Sequence, residues 1–438
     1  MSWHGTDTEM HMGWVANKIG PLVATALLAN HDSNNNVHPL RREFITTSII
    51  GCTTVGCGWT TGTTAITDDD EAVTLPLEYC KGGVSCVRLT VYEGQQQQQH
   101  IDDHLPSAPP RYRIYRVIVD TGSPYLVLSS SKQDIIFSTE EEEPWYKKKN
   151  GDNLFFRFSD SEYSPTSEIY GSQLGKIDWK RVSISFRFQS KTQPVVLGLM
   201  DNVLTEESGG SLLGLIRYNN PKPSNKVEKR PTFLEQQSIL QNNYDKKKTI
   251  SSFRLDYPNK KLTLSSTNNL ILQTNKNNRF PLIDLRKYGD FVDHYACVVK
   301  EIIIPTKNNN NVSINSRMLQ PKKGTRPLVA VFDTGLTGCL FIKSLWDRLV
   351  ELNINPAEWD SLQLDIPTTK TKNIQTISSS KSTNPFFYIA PISLDWFDDE
   401  TTEPFVIVLG QTFLSQGALT IDMDYRIATF EIGDRKNN

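Results

Sequence analysis

The sequence has no excess of charge of either sign. Lys and Arg total 47 of its 438 residues and Asp and Glu total 49, which gives a formal net charge of -2 at pH 7. Two lysine runs, at 147–149 and 246–248, lie in polar surroundings without interleaved aromatic side chains. A nucleic-acid partner is therefore not expected, because binding of that kind requires a strongly basic surface.

Cysteine and histidine are also scarce, at six and seven residues. Their spacings match no zinc site, so neither a metal nor another cofactor is expected. Cys80 and Cys86 flank a short Lys-Gly-Gly segment and can form a local disulfide, which would imply an oxidising compartment. Cys297 and Cys339 lie beside apolar runs and are expected to be buried thiols that pack as small hydrophobic side chains.

The sequence contains no long uninterrupted hydrophobic run. Residues 14–29 are mildly apolar, but polar residues and Pro21 interrupt them, so a stable membrane span is not expected. Arg41 and Arg42 precede a weakly hydrophobic, Thr- and Gly-rich stretch and resemble a twin-arginine export signal. Residues 1–71 are therefore interpreted either as a targeting leader or as a disordered extension.

The sequence leaves the location of the protein open. A two-part leader would deliver the chain to a thylakoid lumen or a similar compartment, and the alternative is a secretory or vacuolar route. Residues 311–313, Asn-Val-Ser, form a glycosylation sequon that can be used only on the secretory route.

Helical periodicity is rare along the chain. Residues 232–240 and 343–352 have apolar side chains at helical spacing. Most other segments are short and rich in β-branched residues, and residues 84–92 and 112–120 predict two strands of one sheet. The fold class is therefore predicted to be mainly β.

Several polar, low-complexity segments are predicted to be surface inserts, because they have too little apolar surface to pack. They are residues 93–110, which contain a run of five glutamines, and residues 138–153, 219–229, 307–311 and 370–383.

Two segments of the chain share one pattern. Residues 117–130, VIVDTGSPYLVLSS, place Asp120-Thr121-Gly122-Ser123 between two apolar runs, and residues 330–341, AVFDTGLTGCLF, repeat the pattern around Asp333-Thr334-Gly335. A β-branched run that breaks at such a sequence predicts a strand, a tight turn that presents the carboxylate, and a second strand. One such turn alone is more often an ordinary hairpin. Two of them indicate a duplicated unit.

Each of these turns is followed downstream by two apolar residues and a glycine, at 212–214 and at 408–410. The order of the four elements resembles that of the pepsin family of aspartic proteases. Residues 168–184 are similar to the flap hairpin of that family, with Tyr170-Gly171 at the position of the flap tyrosine. Residues 253–265 and 406–432 are similar to the segments that open and close the second lobe.

The resemblance covers roughly residues 75–432. It implies a bilobal, pepsin-like acid protease fold, in which two β lobes are related by a pseudo-twofold axis and enclose a central cleft. The expected domains are an N-terminal lobe, 72–250, with the first Asp turn and the flap, and a C-terminal lobe, 251–438, with the second Asp turn.

The resemblance implies an aspartic endopeptidase that acts as a monomer on polypeptide substrates, without a metal or cofactor. Asp120 and Asp333 would be catalytic, because two adjacent carboxylates cannot both ionise easily and so share a proton with which they activate water. Thr121 and Thr334 would hydrogen-bond across the axis, and Gly122 and Gly335 would leave room for the two carboxyl groups. Ser123 would donate a hydrogen bond to Asp120. Tyr170 and Gly171 on the flap would bind substrate.

Two residues depart from the family pattern. Leu336 stands where Ser or Thr is usual and cannot donate to Asp333, which removes about 1.5–3 kcal/mol of stabilisation from the charged form. We therefore expect a less acidic activity optimum than that of pepsin. Val127 stands where many relatives have a tryptophan that supports the flap tyrosine. These departures leave an alternative function open, a catalytically weak or inactive relative that uses the cleft to bind peptides or proteins.

Overall fold

The structure is a computed structural model that describes residues 72–80, 83–92, 112–129, 135–138, 163–170, 173–186, 192–201, 210–217, 230–239, 248–290, 292–305, 311–320, 326–370, 373–393 and 403–433. The predicted leader and twin arginines, the inserts 93–110 and 219–229, most of the inserts 138–153 and 307–311, and Gly171 lie outside these residues.

Short strands make up most of the described chain before residue 250. They are β1 (Ala72–Pro76), β2 (Glu78–Tyr79), β3 (Ser85–Tyr92), β4 (Tyr112–Asp120), β5 (Leu126–Ser129), β6 (Ile135–Ser138), β7 (Thr166–Tyr170), β8 (Gln173–Ser185), β9 (Gln193–Asp201), β10 (Leu212–Gly214), β11 (Ser238–Ile239) and β12 (Lys248–Thr249).

Strands are also the most abundant regular elements of the described chain after residue 250. Its strands are β13 (Ser252–Asp256), β14 (Lys261–Ser265), β15 (Arg279–Pro281), β16 (Ala296–Val298), β17 (Glu301–Ile304), β18 (Val312–Asn315), β19 (Leu328–Phe332), β20 (Cys339–Ile342), β21 (Ser361–Pro367), β22 (Ile374–Ser380), β23 (Ile389–Ile392), β24 (Phe405–Leu409), β25 (Gly417–Asp422) and β26 (Ile427–Ile432).

Helices are few and short in the described residues, and the mainly β class is confirmed. The helices are α1 (Phe233–Gln236), α2 (Asn269–Leu272), α3 (Ser316–Leu319), α4 (Lys343–Glu351) and α5 (Gln411–Leu414), with 3-10 turns at Lys276–Asn278, Leu285–Tyr288 and Pro356–Glu358. None of these helices has the length and apolar character needed to cross a membrane.

The strands form several sheets. A nine-stranded sheet has the order β2-β3-β4-β10-β5-β9-β8-β7, with β6 also paired to β4. A five-stranded sheet has the order β16-β19-β24-β20-β23, a four-stranded sheet has the order β18-β17-β21-β22, and β11 pairs with β12. A six-stranded sheet has the order β1-β14-β13-β25-β26-β15. Its first strand comes from the start of the described chain, and all its other strands come from after residue 250.

One strand arrangement occurs twice. In the nine-stranded sheet, β10 lies parallel to β4 and antiparallel to β5. In the five-stranded sheet, β24 lies parallel to β19 and antiparallel to β20. The strands β4 and β19 lead into the two Asp turns. The first apolar-apolar-glycine element forms β10, and the second begins in the last two residues of β24 and ends at Gly410. The repeat found in the sequence therefore corresponds to a repeat in strand pairing.

The predicted helix at 232–240 is wrong beyond residue 236. Thr232 caps α1 through a reciprocal capping box with Glu235. The side-chain amide of Gln236 then accepts a hydrogen bond from the backbone N–H of Val196 on β9 and donates one to the carbonyl of the same residue. The chain continues as β11, which pairs with β12. Tertiary strand pairing overrides the helical spacing of the apolar residues here. The second predicted helix, 343–352, is confirmed as α4.

The predicted insert at 370–383 is also wrong. Residues 374–380 form β22, which pairs with β21 along its full length of seven residues. The alternate side chains that point inward include Gln375 and Ser379, and the hydroxyl of Ser379 donates to the carbonyl of Thr412 at 2.7 Å. Polar composition was misleading because the inward polar groups gain hydrogen bonds within the fold.

The four described cysteines divide into two classes. Cys80 and Cys86 form a disulfide, the possibility that the sequence left open. Cys297 and Cys339 are free thiols that are fully buried, as predicted.

Candidate active site

The two Asp turns end equivalent strands. β4 ends at Asp120, and β19 ends at Phe332, one residue before Asp333. The carbonyl of Asp120 accepts a hydrogen bond of 2.8 Å from the amide of Leu215, just after β10. The amide of Asp333 donates to the carbonyl of Leu409 on β24 at 2.9 Å. The backbone of each aspartate is thus bonded to the strand that lies parallel to its own, or to the residue that directly follows that strand.

The two carboxyl groups face each other through the glycines of the opposite turns. A Cβ atom built on Gly122 would lie 2.8 Å from the carboxyl of Asp333, and one built on Gly335 would lie 2.7 Å from Oδ1 of Asp120. Real Cβ atoms do not approach so closely, so only glycine fits at these two positions. Both carboxyl groups are completely buried, at 0% exposure. The structure therefore brings together the two carboxylates that the sequence places more than two hundred residues apart.

Four hydrogen bonds join the two turns in a symmetric network. The amide of Thr121 donates to Oγ1 of Thr334 at 3.0 Å, and the amide of Thr334 donates to Oγ1 of Thr121 at 3.0 Å. Each hydroxyl donates onward across the interface, from Thr121 to the carbonyl of Phe332 at 2.8 Å and from Thr334 to the carbonyl of Val119 at 2.7 Å. All donors and acceptors in this network are buried, which fixes the separation of the two turns.

The carboxyl groups also receive matching backbone hydrogen bonds. The amide of Gly122 donates to Oδ1 of Asp120 at 2.7 Å, and the amide of Gly335 donates to Oδ1 of Asp333 at 3.0 Å. The second oxygen, Oδ2, of each Asp is buried and accepts no hydrogen bond of ordinary geometry from the described residues. These two oxygens are the positions at which a shared proton and a polar reactant can bind.

Burial raises the pKa of Asp333 well above its ordinary value. The negative charge of Asp120 and the hydrogen bond between the two carboxyl groups raise this pKa further. The backbone amides of Gly335 and Leu336 oppose these effects without outweighing them. Two carboxyl groups in this position therefore retain a shared proton to a higher pH than an isolated Asp side chain would.

Burial also raises the pKa of Asp120, but more groups oppose the rise. The amide of Gly122, the hydrogen bond with Asp333, the hydroxyl of Ser123 and the charge of His294 all lower this pKa. The two carboxyl groups thus differ in their surroundings although their backbone contacts match.

The residues that follow the two Asp-Thr-Gly sequences differ. The Ser123 hydroxyl lowers the pKa of Asp120, yet its Oγ makes no hydrogen bond of ordinary geometry, and Oδ1 of Asp120 is already bonded to the Gly122 amide. The expected donation from Ser123 to the outer oxygen of Asp120 is absent from the described contacts. Leu336, in the equivalent position, is an apolar side chain with 3% exposure, and its amide bonds the carbonyl of Asp333 at 3.3 Å.

Two polar residues behind the second turn were missed by the sequence reasoning. Nε2 of Gln411 donates to the carbonyl of Thr334 at 2.8 Å and to the hydroxyl of Tyr257 at 3.3 Å. The backbone amide of Gln411 also donates to the carbonyl of Leu336 at 2.7 Å. The available signal was the position of Gln411, directly after the second apolar-apolar-glycine element.

The predicted flap corresponds to a hairpin of β7 and β8, in which Tyr170 is the last residue of β7 and pairs with Gln173. Trp179 on β8 is fully buried and packs edge-on against Tyr125, with ring centroids 5.0 Å apart. The guanidinium of Arg230 lies 4.4 Å from the Trp179 ring. A tryptophan on the hairpin itself therefore connects it to the segment after the first Asp turn. Val127 is buried on β5.

A second carboxylate-containing pair, Asp290 and His294, lies beside the first Asp turn and was also missed. Nδ1 of His294 lies 2.7 Å from Oδ2 of Asp290, and the two residues have 2% and 6% exposure. The amide of Val292 donates to the other oxygen of Asp290 at 3.2 Å. No local pattern marks this pair, because a single Asp-x-x-x-His spacing is common and the fold produces the proximity of His294 to Asp120.

No cluster of three or more His, Cys, Asp and Glu side chains suited to a metal ion occurs among the described residues. Comparison of the chain with models of known protein families found no match, and a search of curated proteins found none either. The geometry of the site is therefore the basis for a functional assignment.

Proposed function

We propose that this protein is an aspartic endopeptidase with a bilobal, pepsin-like fold. It hydrolyses peptide bonds of polypeptide substrates with a water molecule activated between Asp120 and Asp333. The observation that carries the proposal is the apposition of two fully buried carboxyl groups by a symmetric threonine network. Burial of two acids side by side is costly, and a protein that needed only stability would have no reason to retain them.

The matched geometry of the two turns supports a general acid-base mechanism. The ionised carboxylate takes a proton from water as the oxygen of that water attacks the peptide carbonyl carbon, and the protonated carboxyl donates to the carbonyl oxygen. The tetrahedral intermediate then collapses as the C–N bond breaks. The nitrogen takes a proton from the carboxyl that had accepted one from water, and the hydroxyl formed from the carbonyl oxygen returns its proton to the other carboxylate as the product carboxyl group forms. The pair has again one proton and one charge, so it is ready for another cycle.

The repeated strand arrangement supports the bilobal part of the proposal. Two units, β4-β5-β10 and β19-β20-β24, have the same pairing directions, and each ends at a turn that supplies one carboxylate. The hairpin of β7 and β8 supplies a flap that closes over an extended substrate and excludes water. The predicted lobes, 72–250 and 251–438, place one unit in each.

The second candidate function is a cleft that binds peptides without cutting them. Leu336 favours it, because an apolar side chain beside Asp333 supplies no hydroxyl donor to the charged form of the dyad. In that case the Asp pair would hold its proton at all physiological pH values and bind a peptide carbonyl without activating water.

The test is cleavage of a denatured protein by the full chain from about pH 3 to about pH 7, with and without pepstatin. We expect pepstatin-sensitive cleavage that is absent from Asp120→Asn and retained by Asp360→Asn, a control at an exposed carboxylate. Peptide binding without cleavage at any pH, in wild-type protein shown to be folded, would replace the protease with the binding cleft.

A further inference from the structure

His294 lies on a segment that the fold holds firmly between the two Asp turns. The segment begins after Gly289, whose left-handed conformation (φ 103°) turns the chain out of the 3-10 turn Leu285–Tyr288. At its end, the carbonyl of Tyr295 accepts a hydrogen bond of 3.0 Å from the amide of Phe332, next to Asp333. The hydroxyl of Tyr295 donates to the carbonyl of Leu215 at 2.5 Å.

These two anchors contact the strands that carry the dyad. Phe332 is the last residue of β19, and the amide of Leu215 donates to the carbonyl of Asp120. The imidazole of His294 is therefore not a side chain on a free loop. Its segment is bonded to Leu215 and Phe332, which are next to the residues that hold and precede the two aspartates.

Asp290 keeps the ring charged. Burial by itself lowers the pKa of His294, but the charge of Asp290 and its hydrogen bond to Nδ1 outweigh this effect, so the pKa is raised. The charge of Asp120 and the backbone of Gly122 raise it further. Because acid conditions favour the same form, His294 carries a positive charge over the pH range in which the proposed protease would act.

The other charged groups around this segment are already paired. Asp293 accepts two hydrogen bonds from the guanidinium of Arg426, at 2.6 and 3.0 Å. Arg286 bonds Asp284 and also lies 3.6 Å from Asp293. Arg286 acts on Asp290 through space, and it belongs to this paired group. Of the two carboxylates of the dyad, Asp120 is the one whose pKa the charge of His294 lowers.

We propose that His294, oriented by Asp290, is a positioning residue that places the negative charge of the dyad on Asp120 and leaves the shared proton on Asp333. This inference builds on the proposed function. It assigns Asp120 as the base that takes the proton from water and Asp333 as the acid that donates to the substrate carbonyl. At the second turn, no cation is among the described groups that shift the pKa of Asp333 most, and the polar side chains behind this turn, Tyr257 and Gln411, are neutral.

The test that does not depend on activity is the pKa of the His294 ring, measured by NMR on the full chain. The His294 signal is the one missing from the spectrum of His294→Gln. In Asp120→Asn the charge of the pair must move to Asp333, so the His294 pKa is expected to fall by about one unit. In the isosteric control Asp333→Asn the charge stays on Asp120, and the His294 pKa is expected to stay at or above the wild-type value.

The opposite pattern, an unchanged pKa in Asp120→Asn and a raised one in Asp333→Asn, would overturn the proposal by locating the charge on Asp333. An unchanged pKa in both variants would show that the ring has only a structural role and would also overturn it. These outcomes are independent of whether the protein cleaves peptides, so a failure of the proposed protease function is distinguishable from a failure of this inference.

If the wild-type protein is active, the pH profile of kcat/KM provides a second test. Loss of the cation in His294→Gln should move the acid limb to higher pH by about one unit, because Asp120 then ionises less readily. Asp290→Asn, which keeps a hydrogen-bond acceptor but removes the charge that holds the proton on His294, should move it in the same direction by less. An acid limb that coincides with that of wild type in both variants would contradict the proposal.

Discussion

The first and second Asp turns have the same backbone and different side-chain surroundings. In both, the amide of the glycine bonds Oδ1 of the aspartate, the threonine hydroxyl crosses to the opposite strand, and a parallel strand holds the backbone. Around the first carboxyl lie Ser123 and the His294 cation. Around the second lie Leu336, Gln411 and Tyr257, all neutral. Symmetric backbone contacts set the distance between the carboxyl groups, and asymmetric side chains set which of them carries the charge.

The largest expected effect comes from replacing the carboxyl group of either Asp turn with a neutral amide. Asp120→Asn and Asp333→Asn should each lower the proposed peptidase activity by about a thousandfold or more, because the two carboxyl groups act as one unit. Each variant should also be more stable than wild type at neutral pH by about 1–3 kcal/mol, since it removes a buried charge. Activity assays and chemical unfolding at neutral pH measure the two effects. Equal activity of either variant and wild type would exclude the dyad mechanism.

The symmetric part of the comparison is tested at the two threonines. Thr121→Val and Thr334→Val each remove two hydrogen bonds and leave a buried amide without its acceptor, so each should lower the unfolding free energy by about 2–4 kcal/mol. The two losses should be similar, because the network is symmetric. Thr121→Ser and Thr334→Ser retain the hydroxyls and should lose much less. A large effect at only one threonine, measured by chemical unfolding, would break the symmetry inferred here.

The asymmetric part is tested at Leu336. Leu336→Thr introduces a hydroxyl beside Asp333, which should stabilise the ionised pair and move the acid limb of the pH profile to lower pH by about one unit. Leu336→Val has nearly the same shape as the Thr variant without the hydroxyl, and its limb should stay near that of wild type. If the Val variant shifts as far as the Thr variant, packing rather than hydrogen bonding is the cause.

The smallest expected effect is on the pH dependence of stability. The folded-state pKa values of Asp120, Asp333 and His294 are all raised, the first two by burial and the third because Asp290 outweighs burial. The folded state therefore binds more protons than the unfolded state, and these groups lower the unfolding free energy as pH rises. The loss begins near pH 4 for the carboxyl groups and near pH 6.5 for the histidine, the ordinary pKa values of these groups.

Urea unfolding of wild type and His294→Gln at a series of pH values separates the two contributions. The stabilisation from His294 is fully present below about pH 6.5 and is lost as the pH rises through the raised pKa, so the curve of the variant should be flatter in that upper range only. Parallel curves for the two proteins above that pH would mean that protonation of His294 is not linked to folding.

The elements that sequence predicted best are those with a local cause. A β-branched run that breaks at Asp-Thr-Gly specifies a strand and a turn within a few residues, so β4, β19 and both turns were placed correctly. The helix α4 and the buried thiols Cys297 and Cys339 follow from equally local patterns. The errors at 232–240 and 370–383 have the opposite origin. There, pairing with distant strands decided the conformation against the local composition.

The sequence by itself determined that this chain carries two Asp turns in duplicated β units, because each turn is encoded by consecutive residues. Only the tertiary structure decided that the two carboxyl groups meet, that Tyr257 and Gln411 lie behind the second turn, and that the Asp290–His294 pair lies beside the first. The physical reason is how far along the chain the determining residues lie. Turn geometry depends on the backbone preferences of a few neighbours, whereas the charge on a buried carboxyl depends on whichever groups the fold brings within a few ångströms of it.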